Sequence, residues 1–119
     1  MIHGGYPYTA DTQIGKPNVY GDISMWTFME GPRAEAARLR GWLSSWPEKV
    51  LFGTDASPNG PNTSWEETGW IASQQAREAL AVALSDMIAD GEIDRARAET
   101  LAHMVLHDNA AQLYHLTAQ

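Results

Sequence analysis

Lys49-Val50-Leu51-Phe52-Gly53-Thr54-Asp55 is the stretch on which the fold turns. Val50, Leu51 and Phe52 form an uninterrupted apolar run, the pattern of a short strand covered on both faces, as in a parallel sheet. Asp55 then places a carboxylate just beyond that strand. Upstream, Asn18-Val19-Tyr20-Gly21-Asp22-Ile23-Ser24 has the β-branched and aromatic content of another strand. Between the two, Pro32 follows Gly31 at a position suited to a helix's first turn, where no backbone N–H is needed. Leu39, Trp42, Leu43 and Trp46 recur at i, i+3, i+4 and i+7, and Pro47 closes the helix. Strand, helix and strand within about 35 residues make a βαβ unit, which predicts parallel strands and a right-handed crossover.

Working outward, Met1-Ile2-His3-Gly4-Gly5 reads as the end of a strand running into a loop, and 6–17 has the Pro, Gly, Thr and Asp of a connection. Residues 56–64 form a polar loop with the turn formers Pro58, Asn59-Gly60 and Pro61. Ser64 and Glu67 have capping-box spacing. Behind them Ala76, Ala79, Leu80, Ala83, Leu84, Met87 and Ile88 give the strongest helical stripe in the chain, stopped by Asp90-Gly91. A further helix places Ile93, Ala96, Thr100, Leu101 and Met104 on one side. A short last helix is expected over 109–116, with a break just after His107.

The 119 residues suit one domain, 1–119, able to bury a core, and 44% hydrophobic with 19% charged residues is an ordinary globular balance. No apolar run approaches the roughly 18 residues of a membrane span, and residues 1–8 lack the basic start and apolar stretch of a signal peptide. Cysteine is absent, which excludes disulfides and thiolate metal sites. Cytoplasmic location is the default expectation. The net charge of -7 argues against a nucleic-acid partner, since phosphate backbones are held by Lys and Arg. Arg33, Arg38, Arg40, Arg77, Arg95 and Arg97 fall among acidic residues on predicted helices, as on solvated faces.

Two residues carry the candidate chemistry. Asp55 and His3 each follow an apolar strand, and in parallel α/β folds ligands and metals sit at the carboxyl ends of strands. A carboxylate there can ligate a divalent cation or take a proton from water, and an imidazole can orient or deprotonate that water. The bland alternatives are a cap or turn role for Asp55 and an ordinary loop role for His3. His103 and His107, at i and i+4, suit either a metal face or a helix C-terminus. Trp42 and Trp46 are expected to pack on the sheet. Trp65 and Trp70 flank the loop after Asp55 and would line a pocket or cover the rim.

Taken in order, Ile2-His3-Gly4-Gly5-Tyr6-Pro7, Asn18 to Ser24, Val50-Leu51-Phe52-Gly53-Thr54-Asp55 and Leu106-His107-Asp108-Asn109-Ala110-Ala111-Gln112-Leu113-Tyr114 resemble the end of the amidohydrolase superfamily, amidohydrolase-2 branch. The resemblance implies an α/β fold, the C-terminal portion of a (β/α)8 TIM barrel from the end of strand 6 through strand 8, incomplete as a barrel. It implies Asp55 as the metal-ligating or proton-shuttling aspartate and His3 as the histidine that activates water or contacts substrate. Asp22 receives only a structural hydrogen bond. The divalent cofactor implied is zinc, with manganese as the alternative, hydrolysing or decarboxylating a small carboxylated or cyclic substrate. The family's His-x-His pair and its fifth-strand histidine have no counterpart here. Metal binding is therefore expected to be weak or absent and the chain inactive alone. The competing expectation is a non-catalytic α/β interaction or assembly module. Either way, open strand edges predict self-association or a complementing chain.

Overall fold

A computed structural model describes residues 2–3, 12–24, 30–58 and 64–116. Three parallel two-residue strands, β1 (Ile2–His3), β2 (Gly21–Asp22) and β3 (Val50–Leu51), form a sheet in the order β1-β2-β3. The register sets His3 beside Asp22 and Asp22 beside Leu51. Helices make up most of the remainder: α1 (Pro32–Ser45), α2 (Trp65–Ala89), α3 (Arg95–His103) and α4 (Asn109–Leu113). A 3-10 turn, Pro47–Lys49, leads into β3, and a π-helical turn, Met104–Asp108, joins α3 to α4. The βαβ unit read from the sequence is present as β2-α1-β3.

Local chemistry explains these elements. Helix α1 begins with Pro32 behind an extended Gly31 and ends where Trp46 leaves helical geometry ahead of Pro47. The α2 N-terminus is capped by Ser64, whose Oγ accepts from the Glu67 N–H at 3.3 Å. Its C-terminus is a Schellman turn: Gly91 at φ 74 lets its N–H reach Ile88 O and the Glu92 N–H reach Met87 O. Asp94 caps α3 by accepting from the Arg97 N–H at 2.7 Å.

Packing is led by helices. Helix α1 lies along α2, and their apolar faces meet the sheet in one core. Leu39, Val50, Leu101 and Val105 are almost wholly removed from water, each worth roughly 1.5–3 kcal/mol of transfer free energy. Trp42 lies against β2, as expected, where a Cβ on Gly21 would stand 2.5 Å from the indole Cζ3, so only glycine admits the ring. Trp46 packs against the core cluster and also covers Gly15, where a Cβ would stand 3.1 Å from its Cζ2. On α3 the buried side chains are Ala98 and Leu101, continued by Val105, whereas Ala96 and Thr100 face solvent. The expected stripe through Ala96 and Thr100 is therefore turned away from the core. Nor is there a break after His107: the chain stays right-handed helical through the π-turn into α4.

The expectation of a (β/α)8 barrel portion is corrected by this architecture. Helices dominate, and each strand contributes two residues to the ladder. Both predicted strands stop for visible reasons. After Asp22, the side-chain Oδ1 takes the Ser24 N–H at 3.1 Å, offering the backbone an alternative to the ladder. After Leu51, the Phe52 N–H donates to Val105 O at 3.1 Å, a helical carbonyl rather than a strand. Asn109 Nδ2 donates to Val50 O at 2.8 Å and to Pro47 O at 2.7 Å, so the outer edge of β3 is closed by the π-turn and α4. The open edge expected on this side is not there.

Candidate functional site

Parallel strands point their carboxyl ends the same way, and here β2 and β3 deliver Asp22 and Asp55 to one shallow cleft of ≈ 200 Å³. Ser24, Phe52 and Gly53 complete the sheet side, and Ala110 and Tyr114 of the closing helix form the opposite wall. The Asn109 bonds to Val50 and Pro47 hold that wall in place.

The two carboxylates stand in different surroundings. Asp22 is buried, and its Oδ1 accepts from both the backbone N–H and the Oγ of Ser24, the structural hydrogen bond expected of it. Gly53 passes directly over it: a Cβ there would lie 3.2 Å from Ser24 Cβ and 3.4 Å from Asp22 Oδ1. Asp55 is exposed and sits at φ 53, in the left-handed region. Aspartate tolerates that conformation better than most residues, yet it is still less favourable than the extended state. The turn at Asp55 aims the chain away from β3, and the Ala56 N–H bends back to Thr54 Oγ1 at 3.4 Å. No Lys, Arg or His side chain lines the cleft among the described residues. It is an acidic recess with one fixed and one accessible carboxylate.

Of the residues expected to act, Asp55 is at the cleft and His3 is brought to the same edge, since its backbone pairs with Asp22. The His3 side chain and Gly4-Gly5-Tyr6-Pro7 lie outside the described residues, as do Asn59-Gly60, Pro61 and Trp26. Trp65 and Trp70 are both exposed and neither lines the cleft. Gly69 of α2 instead approaches Ala56, so that helix braces the loop after Asp55. His107 pairs its Nδ1 with Asp108 Oδ1 at 2.8 Å on the surface, far in sequence from the cleft residues of the sheet.

A catalytic zinc takes three protein ligands and a water. Among the described residues no three His, Asp or Glu side chains gather to hold a metal. Two carboxylates, one already committed to Ser24, do not fit a complete centre of that kind by themselves.

Sequence reading passed over Ser24, Tyr114 and Glu35. Ser24 and Tyr114 carry no periodic signal. Glu35 does: with Leu39, Trp42 and Trp46 it falls at i, i+4, i+7 and i+11 on the apolar stripe of α1. It is fully buried, and neither carboxyl oxygen has a hydrogen-bond partner among the described residues. Burial, reinforced by the nearby Glu30 carboxylate, pushes its pKa up from 4.5 to about 7. Glu30 itself is forked by Arg38, through Nε at 3.2 Å and through Nη2.

The chain is similar to Protein fluG of Emericella nidulans, 30% identical over 123 residues. That alignment covers 100% of this chain and 14% of the relative, so the chain spans about one seventh of that protein's length. No family model matches the chain. No solved structure matches it. Among the described residues, no helix is long and apolar enough to cross a membrane.

Proposed function

We propose that this chain supplies the carboxylate rim of a metal-dependent amidohydrolase-type enzyme, hydrolysing or decarboxylating a small carboxylated or cyclic substrate, and that it is inactive alone. The observation that carries this reading is Asp55, exposed in a left-handed turn at the carboxyl edge of a parallel sheet, in one cleft with the buried Asp22. Exposed carboxylates held in an unfavourable backbone conformation are found at sites where geometry matters more than stability. In this reading Asp55 accepts a proton or holds a cation, Asp22 fixes the loop through Ser24, and His3 at the neighbouring strand end orients water or substrate. The remaining ligands, which have no counterpart in this chain, come from a complementing chain or the rest of a longer enzyme. A relative about seven times longer than this chain is in keeping with a part that works within a larger protein.

Zinc and manganese titrations followed by calorimetry test this. The expected result is weak binding by the chain, weakened at least about tenfold further by Asp55→Asn, on the scale by which lost metal-site partners act. Equal affinity of the two proteins for both metals would remove Asp55 from any metal role and with it the reading.

A further inference from the structure

Glu35 is wholly removed from water, and neither of its carboxyl oxygens has a hydrogen-bond partner among the described residues. A carboxyl so placed keeps its proton unless a cation can reach it. Few charged groups surround it. Helix α2, packed along α1, carries Glu66, Glu67, Arg77, Glu78 and Asp86, all exposed, and buries only alanine, leucine and methionine. The 3-10 turn offers Glu48, which is exposed, and Lys49, whose Nζ donates to Ile14 O and Lys16 O. Behind them, α3 and the π-turn bury Ala98, Leu101 and Val105, and in the sheet Asp22 already accepts from Ser24. On α1 itself Arg33 is exposed, and Arg40 is shared between Asp90 and Glu92. What remains beside Glu35 is Glu30, near enough for its charge to act on the buried carboxyl, and Arg38, which forks Glu30.

Arg38 and Glu35 stand at i+3 and i on α1, neighbours on the helix surface. Helical side chains lean toward the N-terminus, so Arg38, in reaching back to Glu30 ahead of the helix, extends over the turn that holds Glu35. We propose that Arg38 is a two-position switch: it forks Glu30 while Glu35 carries a proton, and turns inward to fork Glu35 once that proton has passed to water. A guanidinium suits the task because it stays charged throughout and presents a fixed fork to either carboxylate. A carboxylate out of water with no other donor draws it more strongly than one that water also solvates. Arg38 and Glu30 are themselves about a fifth to a quarter exposed, so the exchange leaves the apolar core in place. Glu30 directly precedes Gly31, the residue from which α1 starts. The tie between that helix and the chain entering it is thus made in acid and released as the solution approaches neutrality. Burial and the Glu30 charge place the changeover between 4.5 and about 7. The switch uses no residue of the Asp22–Asp55 cleft and rests on no part of the metal reading.

An NMR titration of the isotope-labelled chain from about pH 4 to about pH 8 tests the proposal, following the Glu35 carboxyl carbon and the proton–proton contacts of the Arg38 Nε–H. That N–H is a direct reporter, since it donates to Glu30 Oε2 at 3.2 Å. Glu35 is expected to titrate between 4.5 and about 7, and the Arg38 contacts to pass from the Glu30 to the Glu35 side chain with the same midpoint. Glu35→Gln, which holds the neutral form, is expected to keep Arg38 on Glu30 at every pH. Glu30→Gln removes the competing partner and is expected to lower the Glu35 midpoint by about one pH unit or more, a tenfold loss of proton affinity. Arg38 contacts that stay on Glu30 while Glu35 ionises would overturn the proposal, and that readout needs no substitution. So would a changeover that persists in Glu35→Gln, or a Glu35 midpoint that Glu30→Gln leaves where it was.

Discussion

Glu35→Met should stabilise the protein, and should do so more as the solution becomes more alkaline. The wild-type carboxyl is fully buried without a hydrogen-bond partner among the described residues, and its pKa stands at about 7 against 4.5 for a solvated glutamate. Between those values the folded state holds a proton that the unfolded state has released. Stability linked to Glu35 is thus fully present below 4.5 and falls as pH rises, being lost above about 7. At 1.36 kcal/mol per pH unit the interval amounts to about 3 kcal/mol, a large share of the stability of a domain this size. Methionine has similar volume and no charge to desolvate, so its variant lacks this slope. Urea unfolding followed by tryptophan fluorescence, at about pH 4 and about pH 8, measures it; subtracting variant from wild type cancels the titration of the other carboxylates. The expected difference grows by about 3 kcal/mol in favour of Glu35→Met from the acid to the alkaline condition. A difference that does not change with pH, or a variant less stable than wild type at about pH 8, would refute the reasoning from burial.

Two other changes probe the frame of the cleft. Asn109→Ala removes both donors to Val50 O and Pro47 O and leaves two carbonyls without them, for a loss of about 2–3 kcal/mol, read from the chemical denaturation midpoint. Gly21→Ala drives a methyl group into the Trp42 ring, and since that indole is itself buried in the core the strain should cost about 1–3 kcal/mol, seen as a lower melting temperature with altered tryptophan fluorescence.

The helices were largely legible because their signals are local. The capping Ser64, the Asp90-Gly91 stop, Pro32 at the start of α1 and Pro47 beyond its end act within a turn of themselves, and no distant partner overrides them. The parallel pairing of β2 and β3 was legible from the apolar run at Val50 and the helix between the strands. The extent of the sheet was not. Both ladders end through interactions that a pattern of apolar residues does not encode: the Asp22 carboxylate accepting the Ser24 N–H, and Val105 and Asn109 occupying the edge of β3 from more than fifty residues away. The α3 stripe misled because Ala96 and Thr100 share a period with buried neighbours yet sit on the other side. At the cleft, Asp55 was visible as a polar residue terminating an apolar run. Tyr114 reaches it through tertiary packing alone, and Ser24 by lying just beyond β2 with its N–H and Oγ bonded to Asp22. Glu35 was visible in principle, as the one acid on an apolar stripe.

The single side chain of Asn109, which seals β3 with an amide rather than with a neighbouring strand, ties solubility to the order of folding. Until α4 docks, Val50 and Phe52 offer a bare hydrogen-bonding template next to apolar side chains, the kind of surface on which nascent chains recruit one another. A segment made more than fifty residues later is therefore the one that protects the middle of the chain, and the yield of native protein depends on how quickly it arrives.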